Sequence, residues 1–386
     1  MPVISKQCYI PGDVVFEIKS RIHCLHYDYK GKHCDNCLKL SNQLKRCAKC
    51  HLMFYCDQSC QMNDWNNGHK KECRVMFGQT FAALYHKKAI DVVDHLILRL
   101  CLYSKSNPHF IEEQHQTYDR TDLRIKDMDI DVDKVAKDRK NTVKLNLLRT
   151  LFELLEIDSD IQEMVFWYAF LELRMTSGSV YYTDNPNDIM NNDSDKPIAC
   201  GITIGINDFQ HSCFPNTAMI SNGLTFEVRA IKDIAIGEEI TRSRISINQN
   251  KKKRKKQLMD NFGYDCECHK CRLNLDKDID YNKYDEMHDK HVNLWETISD
   301  SRIARLVHRN YEMDTQFMVQ LQLIFGEYHP YITSTIVNNF ILFSQYSQKA
   351  TKPLLKYWYK LIKDHIRVTH GLSHPFFAMF DKLYHK

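Results

Sequence analysis

Four short runs lie between residues 34 and 73: Cys34-Asp-Asn-Cys37, Cys47-Ala-Lys-Cys50, Cys56-Asp-Gln-Ser-Cys60 and His69-Lys-Lys-Glu-Cys73. Their eight soft donors make up two complete tetrahedral ligand sets for zinc. Donors two or three residues apart can chelate one ion from a single turn, a spacing that the packing of free buried thiols does not call for. A third group, Cys266-x-Cys268-x-x-Cys271, offers three ligands and needs a fourth; Cys213, inside His211-Ser-Cys-Phe-Pro-Asn216, is the candidate. Eleven of the fifteen cysteines are then ligands, and Cys8, Cys24, Cys101 and Cys200 are left over.

Outward from these clusters, 386 residues with 43% hydrophobic content are enough for two or three units with sizeable cores. No apolar run approaches the roughly 20 residues of a membrane span, and MPVISKQCYIPGDVVF has no basic stretch ahead of an apolar segment, so secretion is not expected. Reduced thiols in such a setting favour metal over disulfides. A net charge of +4 argues against a protein devoted to nucleic acid, although it leaves room for a local basic patch. Lys251 to Lys256 is the one dense basic run, read as a nuclear import signal, as a site for acidic partners, or as a solvated helix face.

Along the chain, Val14–Ile18 and Arg21–Tyr27 read as short strands after the turn Pro11-Gly12-Asp13. Val75 to Arg174 reads as amphipathic helices, with Val92, Leu96 and Leu100, then Leu147, Leu151, Leu154 and Leu155, at helical spacing. Tyr118–Asn141 and Thr183–Lys196 read as exposed, mobile loops, and residues 198–247 as a compact β region. The remainder reads as helices in which Gly326-Glu-Tyr-His-Pro330 and Gly371-Leu-Ser-His-Pro375 repeat one helix-ending, helix-starting pattern; His329 and His374 are expected to cap or pack helical turns.

The first four runs, in this order, resemble the MYND zinc finger. Pro11-Gly-Asp-Val-Val-Phe16, His211-Ser-Cys-Phe-Pro-Asn216, Gly237-Glu-Glu-Ile240, Gly326-x-x-His-Pro330 and Thr369-His-Gly371 resemble segments of the SET and MYND methyltransferase family. The resemblance implies an α+β fold: a SET β-core split by a MYND finger and a helical insert, a post-SET zinc site and a TPR-like C-terminal helical lobe. It divides the chain into 1–33, 34–73, 74–196, 197–247, 248–272 and 273–386. It also implies interleaved zinc ligation, with Cys34, Cys37, Cys56 and Cys60 on one ion and Cys47, Cys50, His69 and Cys73 on another. Cys213 then joins Cys266, Cys268 and Cys271 on a third. Gln61 and Trp65 match finger positions that bind proline-rich partner peptides in the family; local packing is the plain alternative for both.

Family members transfer methyl from S-adenosylmethionine to lysine on histones or other proteins, and here the pattern breaks. No glycine turn precedes Pro11, and the family's Asn-His-Ser-Cys is Gln210-His211-Ser-Cys213. The Asn-Ser-Phe cofactor segment aligns loosely with Gly178-Ser-Val180, which lacks the amide. After Gly237-Glu-Glu-Ile240 the catalytic tyrosine position holds Arg244, and the second tyrosine position holds Phe262, with Tyr264 two residues on as a substitute hydroxyl. Gln210, His211 and Tyr264 are therefore the expected cofactor contacts, with Arg244 and Phe262 as degenerate catalytic positions. Two unit charges 4 Å apart repel by ~4 kcal/mol at an effective dielectric near 20, so an arginine facing a sulfonium would cost about a thousandfold.

Two readings follow. One is a zinc-binding scaffold and transcriptional regulator with impaired catalysis, working in nucleus and cytoplasm through the finger; the other is an active or weak protein-lysine methyltransferase. The replaced positions favour the first. Three zinc ions are expected, direct nucleic-acid binding is not, and S-adenosylmethionine stays open.

Overall fold

The computed structural model describes residues 2–128, 130, 132–137, 139–157, 161–176, 198–277, 279–298, 315–346 and 350–385. Thr183–Lys196 and Gly178-Ser-Val180 lie outside them.

Strand Val14–Lys19 pairs antiparallel with Thr225–Ala230, and that strand with Thr217–Asn222. A register shift between Val14 and Phe16 sets Val15 and Phe16 both inward, the usual effect of one extra residue in a strand. His23–Leu25 pairs with Ala199–Ile202, which also takes Met175–Thr176 on its other edge. Thr241–Arg242 lies parallel to Gln210–His211, and the bridges Ile4–Glu239 and Tyr9–Ile234 clasp the first residues to the 234–240 segment. Residues 3–25 and 198–242 thus build one β unit, although more than a hundred residues intervene. Its core gathers Val3, Tyr9, Phe16, Phe209, Phe226, Val228 and Ile240.

The intervening chain holds the hairpin Lys45–Arg46/Phe54–Tyr55 and the helices Gln58–Asp64, Lys70–Met76, Gln79–His86, Val92–Ser106, Val132–Lys137, Arg139–Leu154 and Ile161–Arg174. Val92–Ser106 starts on a capping box, with the Asp91 side chain accepting from the Val93 and Asp94 amides. This helix is the hub: Leu96, Ile97, Leu98, Leu100 and Cys101 are buried, and one continuous core joins them to the cysteine-rich segment, to Trp167 and Phe170, and to Cys24 and Cys200 of the β unit.

Two expectations need correction. In Arg139–Leu154 the buried row is Leu145, Leu148, Leu151 and Phe152; of the row read from the sequence, Leu151 is buried and Leu155 packs against the same core, while Leu147 and Leu154 point to solvent at 62% and 53% exposure. Tyr118–Asn141, read as a loop, contains the strand Leu123–Arg124 and two helical segments. It buries Leu123 and Ile125 and hydrogen-bonds through the Tyr118 hydroxyl to Tyr9, because a few apolar residues anchor an otherwise polar stretch.

Toward the C-terminus, helices Tyr281–Ile298, Thr315–Phe325, Pro330–Tyr346, Lys352–Thr369 and Pro375–Tyr384 share a core around Phe317, Leu321, Ile336, Phe340, Ile362 and Phe380. Gly326 at φ 90° and Gly371 at φ 82° end helices in the left-handed conformation. The histidines of the two repeats then do one job: His329 Nδ1 accepts from the Tyr331 amide at 3.2 Å, and His374 Nδ1 from the Phe376 amide at 3.1 Å. Both cap the following helix, as the sequence suggested.

Candidate functional site

Three ligand sets assemble as the resemblance paired them. Cys34, Cys37, Cys56 and Cys60 form one, Cys47, Cys50, His69 and Cys73 a second, and Cys213, Cys266, Cys268 and Cys271 a third, each with its donor atoms within 4.8 Å of one another. For Zn–S bonds of ~2.3 Å a tetrahedral edge is about 3.8 Å. The separations match: Cys37–Cys56 3.6 Å, Cys47–Cys73 3.8 Å, Cys213–Cys266 3.9 Å and Cys213–Cys271 3.6 Å, sulfur to sulfur. The donor sets and their spacing therefore fit structural zinc.

The local fold makes the second set possible. Helix Gln58–Asp64, capped by the Asp57 carboxylate, runs into a kinked segment, Trp65–His69, in which Gly68 sits at φ 136°. A Cβ there would lie 3.2 Å from Arg99 Cγ, so a glycine is needed where the chain turns to aim His69 inward. His69 Nδ1 donates to Glu72 at 3.2 Å, which leaves Nε2 facing Cys50 Sγ at 3.6 Å. A carboxylate holding the far nitrogen of a ligating imidazole is the common outer support of zinc sites.

Sequence reasoning missed that support and what holds it. Glu72 is fully buried and accepts from Arg99 Nη2 at 2.6 Å and Nε at 3.2 Å, and from His95 Nε2. Arg99 Nη1 donates to Asp64 at 2.9 Å and to the His23 carbonyl at 2.8 Å, and the Tyr55 hydroxyl donates to the other Asp64 oxygen. Burial alone would raise the Glu72 pKa, but the Arg99 and His95 charges hold it well below the usual carboxylate range. Cys24, His95 and Glu72 also bring three donor atoms together, but the Arg99 guanidinium already supplies the cation there. The only advance signal was Glu72 standing three residues after His69.

Gln61 and Trp65 lie one helical turn apart, both partly exposed, beside Met62 at 50% exposure. The Trp65 ring also stands edge-on to His69 at 5.9 Å, so packing and exposure coexist in this indole.

The third set joins the β unit to the segment that follows it. Asn216, buried in the turn after Cys213, donates to the Glu239 carbonyl at 2.9 Å and accepts from the Thr241 amide at 2.8 Å, fixing the 239–241 segment against the 210–216 turn. Helix Lys251–Phe262 is capped by Asn250, and its Arg254 is wholly buried, paired with Asp276 at 2.6 Å and 3.9 Å from Cys271 Sγ. The centre of the basic run is therefore internal; Lys252, Lys253 and Lys256 face solvent.

His211, Arg244, Phe262 and Tyr264 follow one another in contact, with Gln210 beside them on strand 210–211, its side chain exposed. The Arg244 amide donates to His211 Nδ1 at 3.1 Å, and Arg244 Nη2 donates to the Asn207 carbonyl at 2.7 Å and the Phe209 carbonyl at 3.4 Å. Its guanidinium lies 5.9 Å from the Phe262 ring, which is 6.4 Å from Tyr264. A second arginine, Arg242, is buried behind it and donates to the Ile206 carbonyl, the Ser243 carbonyl and the Asn207 side chain. Burial and the Arg244 charge pull Arg242 down to about 10. Burial, with the neighbouring arginines, pulls His211 down to about 4, so the imidazole is neutral near pH 7. Sequence reasoning identified Arg244 but passed over Arg242.

Residues 34–73 match the family model described as the MYND finger. The chain is 23% identical over 295 residues to human histone-lysine N-methyltransferase SMYD3, covering 75% of this chain and 62% of that protein. It is 26% identical over 274 residues to Xenopus laevis N-lysine methyltransferase SMYD2-A, covering 67% and 55%, and 27% identical over 273 residues to rat N-lysine methyltransferase SMYD2, covering 69% and 56%. The match therefore spans less than two thirds of each relative's length. Finger and relatives together support an SMYD-like family member, at low identity.

Proposed function

We propose that this SMYD-like chain is a zinc-braced SET and MYND scaffold whose lysine methyl-transfer centre is impaired, and that it works through protein contacts as a transcriptional regulator. The β unit closed across the finger and helices supports the split SET reading, and the paired helices after residue 281 support a TPR-like lobe. One observation carries the functional reading: Arg244, which the resemblance aligns with the family's catalytic tyrosine, is held by the Asn207 and Phe209 carbonyls, with Arg242 behind it. Two guanidinium groups do not fit a sulfonium donor, nor the amine of a lysine substrate. His211, being neutral, adds no further positive charge and carries no charge that could offset the arginines.

Calorimetric titration of protein loaded with three zinc ions should show no micromolar binding of S-adenosylmethionine, and Arg244→Tyr should recover measurable binding. Removing a repulsion of ~4 kcal/mol corresponds to about a thousandfold. Micromolar binding by the unmodified chain, with lysine methylation abolished by His211→Ala, would establish the second reading, an active or weak enzyme. That reading draws on the retained His211 and Asn216, the four-thiol set at Cys213 and the names of the relatives.

The partner surface we assign is the finger face carrying Gln61 and Trp65, with proline-rich segments as its ligands. Trp65→Ala should weaken capture of such peptides at least tenfold while the zinc count stays at three; unchanged capture would reduce Trp65 to packing against His69. Nuclear as well as cytoplasmic residence belongs to the same proposal and rests on the exposed part of the 251–256 run. Retention of reporter import in a Lys252→Ala/Lys253→Ala/Lys256→Ala chain would remove that support.

A further inference from the structure

Helix Lys352–Thr369 sends Ile362, Ile366, Leu355 and Trp358 into the C-terminal core. With 3.6 residues per turn, Lys352, Lys356, Lys360, Lys363 and Arg367 fall within an arc of about 80° on its outer surface, a row about 22 Å long. Lys352, Lys356, Lys360 and Arg367 are exposed, and Lys363 lies 5.4 Å above the Phe377 ring.

The row weakens the free protein. Like charges three and four residues apart on a helix repel, and Lys352 and Lys356 sit at the end where the amide dipoles disfavour cations. The helix has a single acidic residue, Asp364, and Arg367 engages it at 2.9 Å. Lys352, Lys356, Lys360 and Lys363 pair with no carboxylate among the described residues. Next to Lys356, and one turn before Lys360, Tyr357 stands 62% exposed.

We propose that this face binds single-stranded nucleic acid, with phosphates along the lysine row and a base stacked on Tyr357. Lysines act as point charges that follow a backbone without reading sequence, and an exposed ring beside them offers any base a stacking surface. An acidic peptide would use the charges but has no need of the ring. The row is long enough to lie along several successive phosphates of one strand. The small net charge of the chain speaks against nucleic acid over the whole surface, and the proposal concerns this one helix face, independently of methyl transfer.

The test is fluorescence anisotropy of the full zinc-loaded chain with labelled oligothymidylate across a salt series. Binding should weaken with a log–log salt slope of about −3, which corresponds to four or five neutralised phosphates at ~0.7 each. Lys356→Glu/Lys360→Glu, exposed changes that relieve the repulsion and should not lower the melting temperature, should lower affinity more than tenfold and flatten the slope. Tyr357→Ala should lower affinity about tenfold and leave the slope unchanged. Lys252→Glu/Lys253→Glu, on the other basic helix, should change neither. No binding at low salt, or loss through the 252/253 pair instead, overturns the proposal. An unaffected Tyr357→Ala protein from which polyglutamate displaces the oligonucleotide equally well overturns it too, and makes the row a site for acidic proteins.

Discussion

A Cys213→Ser protein is expected to bind two zinc ions where the unaltered chain binds three, and to lose the tie between its β unit and residues 250–277. Cys213 is the only ligand of its set that comes from the β unit; the other three lie within six residues of one another. It is fully buried, and its own amide donates to Cys268 Sγ at 3.3 Å, so a hydroxyl there would be a poor ligand with little chance of finding water. Structural zinc contributes folding free energy on the order of 10 kcal/mol in small sites, comparable to the whole stability of a typical domain. The cost should be local: hydrogen exchange should quicken across Lys251–Arg272, with Cys34–Cys73 unchanged. Buried Arg254 should add to the loosening, since it was placed by Asp276 and the neighbouring thiolates. Three bound ions and unaltered melting would show that Cys213 is not the fourth ligand.

How much of this could be read in advance differs with the physics. Chelation needs donors a few residues apart in the chain, so the Cys and His pairs were visible as spacing, and only their interleaving had to come from resemblance. Arg244 was singled out because it follows Gly237-Glu-Glu-Ile240, where the resemblance implies a tyrosine; Arg242, two residues earlier, sat in no motif and only burial reveals it. Capping by His329 and His374 was legible because Gly and Pro bracket both. Arg254 shows the opposite case: inside a run of lysines it looks solvated, and its burial follows from Asp276, twenty-two residues away. The same limit hid the support of His69. Glu72 and Arg99 each look like ordinary helix charges, and only the fold sets them 2.6 Å apart across twenty-seven positions.

That buried network leads to the other large effect. Arg99→Met keeps most of the side-chain volume but leaves Glu72 and Asp64 without their shared cation, both in the interior. Removing one partner of a buried ion pair commonly costs 3–5 kcal/mol, because the remaining charge is stranded. Denaturant unfolding should show a loss of that order, and zinc affinity at the His69 set should fall as well, since Glu72 would no longer be fixed against His69 Nδ1. The pH dependence follows from the sign of the shift. Glu72 has a folded pKa well below its unfolded value near ~4.3, so its stabilising contribution is complete above the unfolded value and disappears only as pH falls through the lower, folded one. Without Arg99 the folded pKa rises, because burial then acts with less opposition, so the contribution of Glu72 is smaller and its loss on acidification is complete at a higher pH. Adding Glu72→Gln, which keeps an acceptor for His69 while removing the charge, should recover part of the stability. A loss under ~1 kcal/mol in Arg99→Met, or no recovery in the double variant, would mean that the guanidinium is replaceable by water and that the zinc set stands without it.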